Sequence, residues 1–221
     1  AYIEPQFVVE ESMFKQLLPW AILRACESFP PNTGLGGDNV SPRAFLRLSA
    51  EAIEALAVLF MLFESIGTWA DVLEFVMIVL LPKSDGGRRP IGLFFTTVRV
   101  WWRARICDVR AWEATTALPS IFGGAGMGAQ KAAWQAAFVA EAAALTKVEF
   151  AEGLVDLVKA FETVPHHVLA AAATAKGYPT IILRLSLAAY RFPRTIGIDG
   201  VYSRTIRATR GITAGAGTAT S

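Results

Sequence analysis

The sequence contains little of what metal centres and disulfide scaffolds require. Its 221 residues include only two cysteines, Cys26 and Cys107, and two histidines, which are adjacent at positions 166 and 167. Two isolated cysteines are too few for a disulfide framework, and no Cys/His spacing suits a zinc site. These absences argue against a small disulfide-rich secreted domain, and we expect the protein to work in a reducing compartment.

Long hydrophobic runs are also absent, although 53% of the residues are hydrophobic. The longest uncharged apolar stretches lie at 55–63 and 75–82, whereas a membrane-spanning helix needs about 20 residues. Neither end carries a signal peptide or a lipidation signal, so we expect no membrane partner. The chain begins at Ala1 and stops after a glycine-rich turn, and we expect it to be a fragment of a longer protein.

Charge is scarce, at 18% of the residues, and it is unevenly distributed. Residues 1–80 contain four Lys/Arg and ten Asp/Glu, a net charge of −6, whereas residues 81–221 contain seventeen and nine, a net charge of +8. Most charge runs are ordinary solvated surface. A basic excess of this size is also the footprint of a polyanionic partner such as nucleic acid.

Hydrophobic periodicity predicts long helices separated by hairpin-like strands, with no internal repeat. The main helices are predicted at about 41–67, 96–113, 129–147, 165–176 and 180–190. Strands are predicted at 72–82 and 89–94, around Asp156, and in a hairpin at Asp199-Gly200. This order predicts an α+β fold with helices packed on a small, mostly antiparallel sheet.

The stretch LLPKSDGGRRPIGLF, residues 80–94, combines two apolar strands with a turn that carries Lys83, Arg88 and Arg89. Such a hairpin presents cations at its tip. The planar fork of arginine and the point charge of lysine both suit a phosphate chain. The alternative is a solvated hairpin with ordinary surface charges.

A single acid, Asp156, lies within the apolar stretch GLVDLV, residues 153–158. Burying an unpaired carboxylate costs on the order of several kcal/mol. We therefore expect Asp156 to be paired with Lys159, hydrogen-bonded, exposed at a strand end, or bound to a cation. The aromatic residue Phe161 follows five positions later, shortly before a helix that begins near Pro165.

Four segments in order resemble the reverse transcriptases of non-LTR retrotransposons and their group II intron relatives. They are LLPKSDGGRRPIGLF (80–94), FGGAGMGAQKAAWQ (122–135), VDLVKAFETVPHHVL (155–169) and RGITAGAGTATS (210–221). The resemblance runs from about Trp69 to the C-terminus. It implies a helical N-terminal extension at 1–70, a fingers-like region at 71–147, and a partial palm at 148–221 that stops before the second acidic motif of a right-hand polymerase.

The activity implied by this resemblance is RNA-directed DNA polymerisation. Such an enzyme adds deoxynucleoside triphosphates to a DNA primer on an RNA template, and it uses two Mg²⁺ ions. Asp156 would be the catalytic, metal-binding carboxylate, and the main-chain carbonyl of Leu157 would be a further metal ligand. The family works inside the cell, in the nucleus or the cytoplasm.

The resemblance also implies nucleotide-binding residues. Lys83 and Arg89 would grip the incoming triphosphate, and Phe161 would exclude a 2′-hydroxyl. Gly215 would let the backbone approach the nucleotide and the template. His166 and His167 follow the family's helix start, and we expect them to be exposed or capping groups.

Three features depart from the family pattern. Ala214 replaces the usual glutamine, Glu162 replaces a common aspartate, and no acid follows Asp199. The fragment alone is therefore expected to be inactive. One alternative is a catalytically inactive relic or nucleic-acid-binding remnant of a retroelement. The other is an unrelated helical scaffold, indicated only by the alanine-rich helices and the high hydrophobic content.

Overall fold

The computed structural model describes residues 2–217 except 85, 124–127, 158 and 199. Within them the α-helices are α1 (Pro19–Glu27), α2 (Ala50–Ile66), α3 (Thr96–Ala104), α4 (Ile106–Thr116), α5 (Ala129–Thr146), α6 (Ala160–Thr163), α7 (His166–Ala175) and α8 (Thr180–Tyr190). The strands are β1 (Val76–Pro82), β2 (Arg88–Phe94), β3 (Pro193–Ile198), β4 (Val201–Tyr202) and β5 (Ile206–Arg207). Short 3-10 helices lie at Glu11–Met13, Pro42–Arg47 and Asp71–Leu73.

The strands form one small mixed sheet in the order β2-β1-β3-β4, and β5 also pairs with β3. β1 pairs with β2 antiparallel, from Val76 opposite Phe94 to Pro82 opposite Arg88. β1 pairs with β3 in parallel, and β3 pairs with β4 and β5 antiparallel. The α+β prediction is therefore confirmed. The predicted hairpin at Asp199-Gly200 centres on a residue outside the described ones, between β3 and β4.

Three buried tryptophans lie at the centre of the core. Trp69, Trp101 and Trp102 are at most 2% exposed, and Trp69 packs edge-on against Trp101. The indole N–H of Trp69 donates a hydrogen bond to the carbonyl of Leu185 at 3.0 Å, and that of Trp102 donates to the Ser186 hydroxyl at 2.8 Å. Both acceptors belong to α8, which is buried over most of its length.

A buried ion pair joins α2 to the junction of α3 and α4. The side chains of Glu64 and Arg105 are 1% and 5% exposed, and Arg105 Nη2 and Nε lie 2.6 and 2.7 Å from the two oxygens of Glu64. Trp101 Nε1 donates to the same carboxylate at 2.7 Å. Arg105 also donates to the carbonyl of Lys15 and contacts Asp108. The pair thus connects the N-terminal segment with three helices.

Two of the predicted long helices are interrupted. The chain over 42–47 is a 3-10 helix, and α2 begins only after Ser49, whose hydroxyl accepts a hydrogen bond from the Ala52 N–H. The helix predicted at 96–113 is divided at Arg105, where the backbone turns between α3 and α4. The predicted end of α2 at Gly67 is confirmed, because Gly67 adopts a positive φ of 82° and closes the helix.

The alanine-rich helix α5 is present within a residue of its predicted bounds, but none of its residues is buried. Its large apolar side chains, Trp134 and Phe138 among them, face solvent. No helix in the described ranges has the length and apolarity needed to cross a membrane. Buried residues from all three predicted regions, from Leu17 to Ala216, pack in one cluster, while the functional division into those regions stays a prediction.

Candidate functional site

The predicted basic hairpin is present and consists of β1, β2 and the turn 83–87. Arg88 lies opposite Pro82 in the register, and the turn is closed by a hydrogen bond from the Lys83 N–H to the carbonyl of Gly87 at 2.8 Å. Lys83, Arg88 and Arg89 are all exposed. Because successive side chains of a strand project to opposite faces, Arg88 and Arg89 point to different sides of the hairpin.

Residues 210–217, which we call the glycine turn, pack against the outer edge of β2. The Gly92 N–H donates a hydrogen bond to the carbonyl of Ala214 at 2.6 Å. Gly215 has a φ of +100°, and a Cβ there would overlap the carbonyl of Gly92, while a Cβ on Gly92 would overlap the Thr213 side chain. Both positions therefore require glycine for this contact. The close approach that Gly215 permits here is to β2.

The other side of the glycine turn is held by the chain around α6. The Ile212 N–H donates to the carbonyl of Phe161 and the Gly211 N–H donates to the carbonyl of Val164, both at 2.7 Å. Gly211 has a φ of +90°, and a Cβ there would lie 2.6 Å from the carbonyl oxygen of Glu162. The turn therefore lies between the basic hairpin and the chain that follows Asp156.

Phe161 lies on α6, and its side chain is 49% exposed. It does not belong to the buried core. Its main-chain carbonyl accepts a hydrogen bond from the glycine turn, and the residue as a whole is about half exposed. The ring is therefore available for an interaction outside the fold.

The strand predicted around Asp156 is wrong. Residues 148–157 form neither helix nor strand, and residues 149–157 are all exposed, with Leu154 and Val155 at 93% and 88%. A strand needs a neighbour for its backbone hydrogen bonds. Both sides of β1 are taken by β2 and β3, and the glycine turn already contacts the outer edge of β2. Asp156 therefore avoids the cost of burial by exposure, and the described residues give it no ion pair with Lys159.

The implied magnesium ion has only part of a donor set. The Asp156 carboxylate and the Leu157 carbonyl are hard oxygen donors of the type that Mg²⁺ accepts, and the ion keeps several waters. The described part of the chain contains no group of three His, Cys, Asp or Glu residues placed to hold a metal. No hydrogen bond joins Asp156 to the basic hairpin or the glycine turn among the described residues. The glycine turn meets β2 at Ile91 and Gly92. Arg89 lies two residues before Ile91 on the same strand, and Lys83 lies in the turn at the hairpin tip.

Much of the positive charge between 184 and 210 is engaged within the fold. Arg184 donates to the carbonyls of Glu64 and Ser65 at the end of α2. Arg194 donates to the carbonyl of Tyr190. Arg191 forms an ion pair with Glu4 at 3.4 Å, and Arg207 forms one with Glu74 at 3.7 Å. The exposed arginines of this stretch are Arg204, Arg207 and Arg210.

The arginines of α3 also have partners inside the fold. Arg99 donates to the carbonyl of Gly34 and to the Thr33 hydroxyl, and burial lowers its pKa below the ordinary value. The Arg99 and Arg103 guanidinium groups both lie over the ring of Phe29. The net charge of +8 over residues 81–221 therefore overstates the charge that faces solvent.

The expectation that His166 is exposed or a cap is wrong. Its side chain is 1% exposed, and Nε2 lies 2.9 Å from the carbonyl oxygen of Gly211 in the glycine turn. His167 is half-buried at the surface. Nothing in the local pattern VPHHVL distinguishes two adjacent histidines. Helix geometry separates them by about 100°, so only one can face α8.

The buried pair of Glu64 and Arg105 was also missed. A signal for it existed, because Glu64 is a single acid in the apolar stretch ALAVLFMLFESI. Asp156 likewise is the one acid of a short apolar stretch, GLVDLV.

No protein-family model matches the chain, and no curated protein matches it significantly.

Proposed function

We propose that this chain is part of an RNA-directed DNA polymerase and contributes its triphosphate-binding hairpin, its first catalytic aspartate and its glycine turn. One observation is the main support for this proposal. The glycine turn contacts the edge of β2 on one side and the chain after Asp156 on the other. Three of the four segments on which the resemblance depends are thus neighbours in space, although they are separated by up to about 120 residues.

The triphosphate would bind beside the hairpin tip. Arg89 shares one face of β2 with Ile91, whose side chain lies next to Gly215. Arg89 and the neighbouring Lys83 would pair with the phosphate oxygens, since both are exposed and charged. The half-exposed ring of Phe161 would lie against the sugar and occupy the space of a 2′-hydroxyl.

Asp156 and the Leu157 carbonyl would hold a Mg²⁺ ion, which supplies positive charge for the phosphates when it is bound. The exposed position of Asp156 supports this role, because a carboxylate in water binds a cation without first losing another partner. A carboxylate in a buried ion pair, such as Glu64, could not bind the ion without breaking that pair.

The test is the binding of dCTP in the presence of Mg²⁺, measured by calorimetry. Arg89→Ala should weaken binding about tenfold, the equivalent of 1.4 kcal/mol for a charge-assisted hydrogen bond. Arg88→Ala is the matched control, with the same charge on the opposite face of the same strand, and should change affinity less than about twofold. Phe161→Val should reduce the ratio of the dissociation constant for CTP to that for dCTP.

Equal effects of Arg88→Ala and Arg89→Ala would show that net charge, and not a site, attracts the triphosphate. A wild-type chain that binds no triphosphate would contradict the proposal itself.

A second candidate function is nucleic-acid binding without catalysis. The replacement of the family's glutamine by Ala214 favours it, because alanine has no side-chain donor or acceptor for a nucleotide. In that case a template–primer duplex should bind in a salt-dependent manner, while Arg89→Ala and Arg88→Ala should weaken it equally.

A further inference from the structure

His166 is a buried histidine whose hydrogen-bonding state is fixed by its surroundings. A carbonyl oxygen only accepts hydrogen bonds, so the contact at 2.9 Å requires that Nε2 carry the proton and donate to Gly211. Tyr2 packs against the ring edge at 5.8 Å, and Tyr190 lies at 6.2 Å on the side of α8. The other ring nitrogen, Nδ1, is buried and has no partner among the described residues.

Leaving a buried nitrogen unpaired is destabilising, so an apolar residue would serve better if the position only filled space. A histidine at this position is therefore explained by the hydrogen bond that it makes. That bond is made to the first residue of the glycine turn with a positive φ, Gly211.

The bond to His166 differs in kind from the other contacts of the glycine turn. The bonds from Gly211 and Ile212 to the chain around α6, and from Gly92 to Ala214, join backbone to backbone. These bonds use no side-chain donor or acceptor. His166 supplies a side-chain donor to the turn from the rigid start of α7, which packs on α8.

We propose that His166 is a positioning residue for the glycine turn. Through its Nε2–H it holds Gly211, and thereby sets the placement of Gly215 against β2 and the affinity of the adjoining site for a nucleoside triphosphate. His166 does not touch the ligand. The part of this inference that concerns affinity rests on the proposed function, whereas the part that concerns the turn does not.

The experiment compares His166→Leu with His166→Gln, because the glutamine amide can replace the Nε2–H donor and leucine cannot. Hydrogen–deuterium exchange of the peptide covering 211–216 and the affinity for dCTP are measured on each full chain. His166→Leu should speed exchange in the turn at least about fivefold and weaken dCTP binding to a similar degree. His166→Gln should restore most of both, and the control His167→Gln should change neither.

Equal exchange rates in His166→Leu and His166→Gln would overturn the proposal, because the ring would then only fill space. If wild type binds no dCTP, the proposed function fails, while the exchange rates still decide the role of His166. If His166→Leu does not fold, the ¹⁵N chemical shifts of His166 in wild type decide it. A proton on Nδ1 in place of Nε2 would refute the bond to Gly211.

Discussion

Two acids each stand alone in a short apolar stretch of this chain, Glu64 in residues 55–66 at the end of α2 and Asp156 in residues 153–158. Glu64 is buried and receives hydrogen bonds from Arg105 and Trp101. Asp156 is exposed together with the apolar residues beside it, such as Leu154. The local sequences are equally apolar, so local composition does not decide which acid is buried. The availability of a cation and a second donor from distant parts of the chain decides it.

The two surroundings also suggest different uses of a carboxylate. The Glu64 carboxylate has its oxygens occupied, and it fixes the arrangement of the N-terminal segment, α2, α3 and α4. Asp156 is exposed, and the described residues give its carboxylate no ion pair. Of the two acids, only Asp156 can accept a cation from solution without breaking the fold.

The largest expected effect comes from replacing each acid in turn by leucine. Glu64→Leu removes the two short contacts of the buried Arg105 charge and leaves the Asp108 carboxylate, at 3.4 Å, as its charged partner, so it should lower the free energy of unfolding by about 3–5 kcal/mol. Asp156→Leu should change it by less than about 0.5 kcal/mol, because the site is exposed. Urea denaturation of both variants measures the two values. Similar losses in the two variants would mean that Asp156 has a structural partner.

The second effect concerns the glycine turn, which lies between the packed core and the exposed segment. Gly177→Ala forces alanine into a positive φ of 66° in open space and should cost about 1 kcal/mol. Gly215→Ala adds an overlap with the Gly92 carbonyl and should cost at least about 1 kcal/mol more. Thermal unfolding of the two variants measures the difference. Equal costs would show that the turn does not pack on β2 in solution.

The smallest expected effect is a pH dependence of the stability, and it comes from the buried residue His166. Burial lowers the pKa of His166 below its ordinary value of 6.5, and nearby Arg191 and Arg194 act in the same direction, while the bond to Gly211 opposes them. Burial raises the pKa of the facing Tyr2 above its ordinary value of 10.0, so Tyr2 is neutral in this range. The unfolded chain therefore binds more protons below pH 6.5, and the stability contributed by His166 is complete above that pH.

As the pH falls from 6.5 through the lowered pKa, this contribution is progressively lost. The measurement is the free energy of unfolding between pH 8 and pH 5 for wild type and His166→Gln. The variant should lose less stability over this range than wild type. Parallel curves for the two proteins would show that His166 is not protonated differently in the folded and unfolded states.

Local sequence signals sufficed where an element is stabilised by its own residues. The hairpin of β1 and β2 was predictable because branched apolar residues lie on both sides of a turn that contains Gly86 and Gly87. The helix α5 was predictable because alanine favours helix without help from packing. These elements have the bounds expected of them, within a few residues.

The elements that failed depend on distant partners. The strand around Asp156 was predicted from a local apolar run, yet both sides of β1 are taken by β2 and β3, and the glycine turn contacts the outer edge of β2. The break at Arg105 follows from a side chain that must reach Glu64, 41 residues earlier. The burial of His166 depends on Tyr190 and on a turn 45 residues later. None of these pairings is visible in the local pattern.

The packing of the glycine turn has a consequence for the solubility of the protein. β2 is an edge strand, and edge strands with unpaired backbone groups pair readily with other molecules and lead to aggregation. On that edge the Gly92 N–H donates its hydrogen bond to the Ala214 carbonyl, and Pro90 has no N–H. A variant that releases the turn should therefore aggregate at concentrations at which wild type stays monodisperse.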